Sequence, residues 1–431
     1  MNKTSNRLVE FGKNLLIVLL SLSAVTLSLR AFWSGDTSPS TLIRKLLPTT
    51  DTAAPQGDIP GEGDIPLPAR MAVNGLAGLY GVQYDDKSIE ALFARTAPLL
   101  GAALETASSP RVSGRGEWEE ALSRPAVFFD FPEVLSLPFL SQHLTGGAPD
   151  TLSGTSRRLL LAQPEDDGNA VLYYVDAQTG SYYSCTTALE IGSQLDGYPP
   201  NGACFAFCWP DDTLAGLHPD TLLLPRAPAL PVYRSEVPLD LSLEVGRDGL
   251  LKQLDFTPRD ANAIYPAADG WSVRDGSDTL RLTANGTVTY HRGSGSTRYP
   301  LSGQDTDRLT TQVTELARAL TAPFSGAARL CLTALIRDGQ TITLTYSYCL
   351  SGAQVQLGDE GRCALFTITD GVLTDYTLHL RRYLPTGEET MLLPERQAVA
   401  VMEQLTVPEG ELIPRYYDSG DGVVRPAWTG R

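Results

Sequence analysis

A single apolar run near the N-terminus, residues 15–29 (LLIVLLSLSAVTLSL), constrains this chain more than any other stretch. Its uncharged core reaches only about 22 Å at roughly 1.5 Å per residue. Extended from Asn14 to Trp33, with Arg30 snorkelling and Phe32 and Trp33 at the interface, it supplies the roughly 20 residues of a spanning helix. It reads as an uncleaved, single-pass membrane anchor. Lys3, Arg7 and Lys13 precede it against Glu10 alone, which favours a cytoplasmic N-terminus and an extracytoplasmic remainder. Arg30, Arg44 and Lys45 on the far side keep that bias small. A cleaved signal peptide shares the basic start and the apolar core, but it needs a small-x-small site after the core. Ser28-Leu29-Arg30-Ala31 puts Arg just before the candidate Ala.

With 431 residues, 42% of them hydrophobic, the chain can bury a substantial core and divide into two or three domains. A formal net charge of -16 argues against nucleic acid and against a peripheral hold on anionic lipid, since both need clustered Lys and Arg. Six cysteines outside the anchor, Cys185, Cys204, Cys208, Cys331, Cys349 and Cys363, form an even count compatible with disulfides in an oxidising compartment. Cys349 and Cys363 fall in successive predicted strands and face one another if the loop between them closes a hairpin. Six buried small hydrophobes is the alternative.

Residues 1–13 read as a cytoplasmic tail, 14–33 as the anchor and 34–70 as a stalk, whose Pro55, Pro60, Pro66 and Pro68 prevent helix or central strand. Residues 71–228 read as an N-terminal α+β ectodomain. There Asp86 is positioned to cap a helix through Leu104, with Ile89, Leu92, Phe93 and Leu100 on one face and a kink expected at Pro98. A short helix around 118–122 and an apolar strand at 126–131 (AVFFDF), stopped by Pro132, come next, then a meander at 158–163, 170–175 and 181–187. The Pro-rich segment 224–231 marks the first boundary.

The second half reads as two related antiparallel sheet-plus-helix units, 229–325 and 326–431. One carries a hairpin around Asn285-Gly286 and the other around Asp370-Gly371, both favoured in type I′ turns. Each hairpin precedes an amphipathic helix, at 305–320 and 394–405. Between them, 329–336 and 341–350 form a further hairpin around Asp338-Gly339. The closing stretch, with Tyr416, Tyr417 and Trp428, is expected to be a terminal edge strand. The fold class is therefore α+β, with β-rich mixed domains behind one transmembrane helix.

Chemistry-bearing motifs are scarce. His143, His218, His291 and His379 are scattered, with no HxH, HExxH or carboxylate at metal spacing, so no metal site is expected. No GxSxG elbow, SxxK or Walker loop occurs. The Gly-rich stretch 292–296 follows a hairpin strand without opening a helix and reads as a loop. Acid pairs Asp166-Asp167, Asp211-Asp212 and Asp359-Glu360 are candidates for glycosidase carboxylates or calcium ligands, against solvated turns. The run 418–422 (DSGDG) lacks the distal Glu of a calcium loop. No catalytic residue and no cofactor is assigned.

The order of these parts resembles a family. The short basic start, the NLLIVLL anchor, the AVFFDFP strand, the Asn285-Gly286 hairpin and the closing ELIPRYY…RPAWTG together are similar to the YycH/YycI-type accessory proteins of Gram-positive bacteria. Those are single-pass, extracytoplasmic regulators of an essential cell-wall sensor kinase, and they are not enzymes. The resemblance implies a membrane-anchored regulatory protein whose partners are a sensor histidine kinase and a related accessory protein. It implies contact through the anchor, where Ser21, Ala24 and Ser28 offer a small side on which a partner helix can approach closely. An envelope hydrolase with acids on loops and a non-catalytic cell-wall scaffold are the alternative readings.

Overall fold

The computed structural model describes residues 66–430 apart from 166–167, 196, 209–213, 215–216, 241–242, 259–262, 395–396, 401–409 and 421. The tail, the anchor with Ser21, Ala24 and Ser28, and the stalk as far as residue 65 lie outside the described residues. So do Asp166-Asp167 and Asp211-Asp212. Among the described residues no helix is long and apolar enough to cross a membrane. Pro66, Pro68 and Ala69 are buried, so packed structure reaches back into the last residues of the Pro-rich stretch.

The first half is organised by a seven-stranded sheet of order β2-β1-β4-β5-β6-β7-β3. Its strands are β1 (Arg70–Gly75), β2 (Gly78–Gln83), β3 (Arg111–Ser113), β4 (Ala126–Ser136), β5 (Thr155–Ala162), β6 (Val171–Asp176) and β7 (Tyr182–Thr186). Strands β4 and β5 are apolar at successive positions because both faces of the sheet are covered. On one face Phe129, Phe131, Leu159 and Leu161 pack with Ile89, Leu92 and Leu100 of helix α1 (Asp86–Glu105) and Leu140 of helix α3 (Leu137–Thr145). On the other, Phe128 and Leu160 meet Trp118 and Leu122 of helix α2 (Arg115–Leu122), with Phe205 of β8 (Cys204–Phe205) and Leu222 of β9 (Leu222–Leu223).

Two local expectations change. Asp85, held in an extended conformation, caps α1 by accepting from Ser88 N at 3.2 Å, while Asp86 opens the first turn. Strand β4 does not stop at Pro132. A break in register between Asp130 and Leu135 lets it carry the proline, which gives no amide hydrogen to a ladder, and continue to Ser136.

The second half centres on a thirteen-stranded sheet. Along its path the order is β11-β12-β13-β14-β19-β18-β16-β17-β21-β22-β10-β20, with β15 on the other side of β16. The strands are β10 (Ala229–Glu236), β11 (Ile264–Ala267), β12 (Gly270–Asp275), β13 (Asp278–Thr283), β14 (Thr287–His291), β15 (Arg329–Asp338), β16 (Thr341–Leu350), β17 (Ala353–Leu357), β18 (Ala364–Thr369), β19 (Val372–His379), β20 (Arg382–Met391), β21 (Leu412–Asp418) and β22 (Val423–Gly430). Helix α4 (Glu244–Gln253) precedes β11. Helix α5 (Thr306–Ser325), capped by Asp305, lays Leu309, Val313, Ala317, Leu320 and Phe324 into the core of this half. Residues 397–400 are helical, the described part of the helix expected at 394–405.

Strand β14 pairs with β19, so the two hairpins read from the sequence are neighbours in one sheet. Their turns differ. Asp370 and Gly371 both have positive φ, as a type I′ turn requires. At the other turn only Gly286 does, and Gly286 N donates to Thr283 O at 3.0 Å, the pattern of a type I turn closed by a left-handed glycine. A side chain at Gly286 would press a Cβ to 2.8 Å from Leu380 O. The closing segment is not an edge: β21 pairs in parallel with β17, β22 pairs with β10, and Tyr416 is fully buried.

Candidate functional site

Charged residues from distant parts of the sequence converge where the two sheets meet. Ala69 and Tyr84, beside the first sheet, and Val134 of β4 belong to the apolar core of the second half. The turn at Gly352 presses against Ala69, where a Cβ would stand 3.3 Å from Ala69 Cα. Alongside these apolar contacts Arg70 at the start of β1 pairs with Asp130 of β4 and with Glu411 just before β21. Arg158 of β5 pairs with the same Glu411 and reaches Asp220 at 2.8 Å. Arg157 contacts Asp130 at 3.1 Å and Glu411 at 3.5 Å. Arg70 is 1% exposed and Glu411 5%, so these charges are withdrawn from water.

Three arginines thus face three carboxylates. Burial by itself would raise the carboxyl pKa values, but Arg157, Arg70 and Arg158 hold Asp130 below its ordinary value, and Arg158, Arg70 and Arg157 hold Glu411 well below. Burial also raises the Tyr84 hydroxyl, and it drives His218 down to about 4, with Arg158 adding to the effect. The His218 ring is therefore neutral and contacts Asp220 through Nδ1. A few residues away Glu133 of β4 binds Arg318 of α5, Arg329 at 3.3 Å and the amide of Leu332 at 3.4 Å. Gln354 of β17 donates to Pro132 O at 3.3 Å. The part of β4 beyond Pro132 is what docks the first sheet on the second.

This seam is a structural device. Asp130 and Glu411 are held in the charged form by the arginines, and Asp220 and Glu133 are engaged by Arg158 and by Arg318 and Arg329. A buried ion pair adds little net stability, yet losing one partner strands a charge at a cost of about 3–5 kcal/mol. The network therefore specifies how the two sheets sit together more than it tightens them.

The residues singled out from sequence are dispersed. His291 meets Asp375 at 2.7 Å on the surface, His379 meets Thr287 at 3.1 Å, and His143 lies beside Phe139. Asp418 is an internal acceptor, taking hydrogen bonds from Ser235 and Tyr383 at 3.0 Å each. Asp278 organises the Gly-rich loop by accepting from Gly293 N at 2.8 Å and Ser296 Oγ at 2.6 Å. Among the described residues no three His, Cys, Asp or Glu side chains are grouped to hold a metal. Cys349 and Cys363 are buried free thiols, and the immediate partner of Cys349 is Cys331 across β15 and β16. Burial first, then the neighbouring Cys331, raises both thiols well above their ordinary value. Sequence reading missed the seam entirely, because Arg70 and Glu411 are 341 positions apart.

Two β-rich layers, a seven-stranded sheet with helices on it and a larger sheet closed by α5, define an α+β fold of two joined sheets. The crystal structure of YycH from Bacillus subtilis matches it with a TM-score of 0.55, over 86% of this chain and 94% of that one, at 10% sequence identity. The chain thus has a YycH-type fold. No family model and no curated protein matches its sequence.

Proposed function

We propose that this chain is a membrane-anchored, extracytoplasmic regulatory protein that modulates a cell-envelope sensor histidine kinase, in company with a related accessory protein. The observation that carries this reading is the YycH-type fold over 86% of the chain. It is supported by the apolar run at 15–29 and by carboxylates at the seam that are committed to arginines. In this reading residues 1–13 lie in the cytoplasm, 14–33 span the membrane, 34–70 form a stalk, and the two sheets stand outside. The protein acts by contact and carries out no reaction.

The anchor is the working contact. Ser21, Ala24 and Ser28 are spaced three and four residues apart in the sequence, a spacing that would bring them to one side of a spanning helix, where small side chains let a second helix approach closely. The test is co-purification from native membranes. The wild-type chain should bring down a membrane-spanning histidine kinase, and the triple variant Ser21→Leu, Ala24→Leu, Ser28→Leu should recover much less at equal expression. Equal recovery with unchanged signalling would remove the anchor from the mechanism. Absence of any kinase from the wild-type sample would remove the regulatory reading.

A further inference from the structure

We propose that a fork in the larger sheet, where β17 parts from β18, binds a small organic carboxylate through Arg415. Strand β16 is paired with β15 from Thr341 to Cys349. On its other edge it pairs with β18 from Thr341 to Tyr346 and with β17 only at Cys349 and Leu350. The ladder opens between these stretches, leaving a depression of about 300 Å³, the lower end of the small-molecule range.

Its walls are polar by construction. Thr333 is the extra residue at a break in register between Leu332 and Ala334, a bulge of the kind that re-aims a side chain beside a site. Strands β17 and β21 run parallel with Gln354 opposite Arg415, so the two-residue period puts Gln354, Gln356 and Arg415 on one face. Val355 and Tyr416 belong to the buried core. Thr345 and Ser347 of β16 complete the lining, and Glu360 and Arg362, paired at 3.1 Å, stand at the loop side.

Arg415 is the group with unspent capacity. Its hydrogen bond within the protein is a long one, Nη1 to Gln356 Oε1 at 3.4 Å, and its buried Nε has no partner. Among the described residues no carboxylate stands within ion-pair distance of it, in contrast to Arg70, Arg157 and Arg158 a short way off. Burial, followed by repulsion from Arg157, depresses its pKa against the pull of Tyr417 and Glu411, and an anion would relieve that cost. A planar guanidinium suits a carboxylate, while Thr, Ser and Gln suit the amides and hydroxyls attached to one. Among the described residues no aromatic ring lines the depression to stack on a sugar, and Glu360 is the single carboxylate in its lining, too few for a metal.

The experiment titrates the full chain in nanodiscs with N-acetyl-alanyl-alanine, its C-terminal amide and inorganic phosphate, followed by calorimetry. The free acid should bind saturably, about tenfold more weakly to Arg415→Gln and also more weakly to Gln356→Leu. The amide and phosphate should show no binding over the same range. If Arg415→Gln fails to fold, Gln356→Leu with an unchanged melting temperature carries the test. Four results would overturn the assignment: no saturation by the acid up to roughly 10 mM, equal binding of acid and amide, competition by phosphate as strong as by the acid, or wild-type affinity in the folded variants. The readout involves no kinase, so its failure leaves the regulatory reading standing.

Discussion

Glu411 and Arg415 lie four residues apart in the ELIPRYY segment, yet they serve opposite environments. Glu411 closes a buried set of three arginines and three carboxylates in which every charge is met by another. Arg415 lines an open depression with hydroxyls and amides around it and, among the described residues, no carboxylate at contact distance. The molecule puts charge to two uses. A compensated, largely buried cluster dictates geometry and is costly to break. An uncompensated cation at the wall of a depression is cheap to remove and is available to a ligand.

The largest expected effect follows from breaking the first region. Glu411→Ala leaves Arg70 and Arg158 facing each other around an empty position, and unfolding in urea should show a loss of about 3–5 kcal/mol. Arg415→Ala should cost no more than about 1 kcal/mol in the same assay. Equal losses would erase the distinction. Glu133→Gln keeps the shape of the second docking contact but removes the charge that Arg318 and Arg329 share, and about 1–3 kcal/mol should go with it.

A smaller effect separates the compensated seam from a carboxylate that has no cation beside it among the described residues. Burial, then Asp305 and Asp176, push Asp307 at the start of α5 up to about 6 from 3.8. The folded state therefore holds this proton more tightly than the unfolded chain. The associated stability is fully present below about pH 3.8 and is lost as pH rises through about 6. Asp307→Asn mimics the protonated group and should melt higher than the wild type at pH 7, with no advantage at pH 4. An advantage independent of pH would point to packing instead.

The smallest effect concerns thiols. Cys208 is exposed, whereas Cys331, Cys349 and Cys363 are buried, so a thiol reagent should label Cys208 at once and the other three only on unfolding. Finding Cys349 and Cys363 unreactive after unfolding without reductant would support the disulfide read from the sequence.

Much of the local structure was legible. Helix α1, the β5 to β7 meander, both hairpins and α5 announce themselves through apolar period and turn residues, because neighbours in sequence decide them. Pro132 shows where that logic ends. Locally it stops a strand; in the fold a bulge carries it, and the residues beyond it join the two sheets. Equally hidden were the β14–β19 pairing that merges the two hairpins into one sheet and the parallel β17–β21 pairing that places Arg415 beside Gln354. Arg70, Arg158 and Glu411 look like ordinary surface charges, since most of their partners lie 60 to 341 positions away.

In the function proposed for this fold, a regulator is held at the membrane by its first apolar segment. The most direct test places a photo-reactive residue at position 24 in the full-length chain, irradiates native membranes and identifies the adducts by mass spectrometry. An intact N-terminus and adducts with a transmembrane segment of a histidine kinase are expected. A processed N-terminus lacking residues 14–33, or adducts only with lipid, would contradict the proposed function.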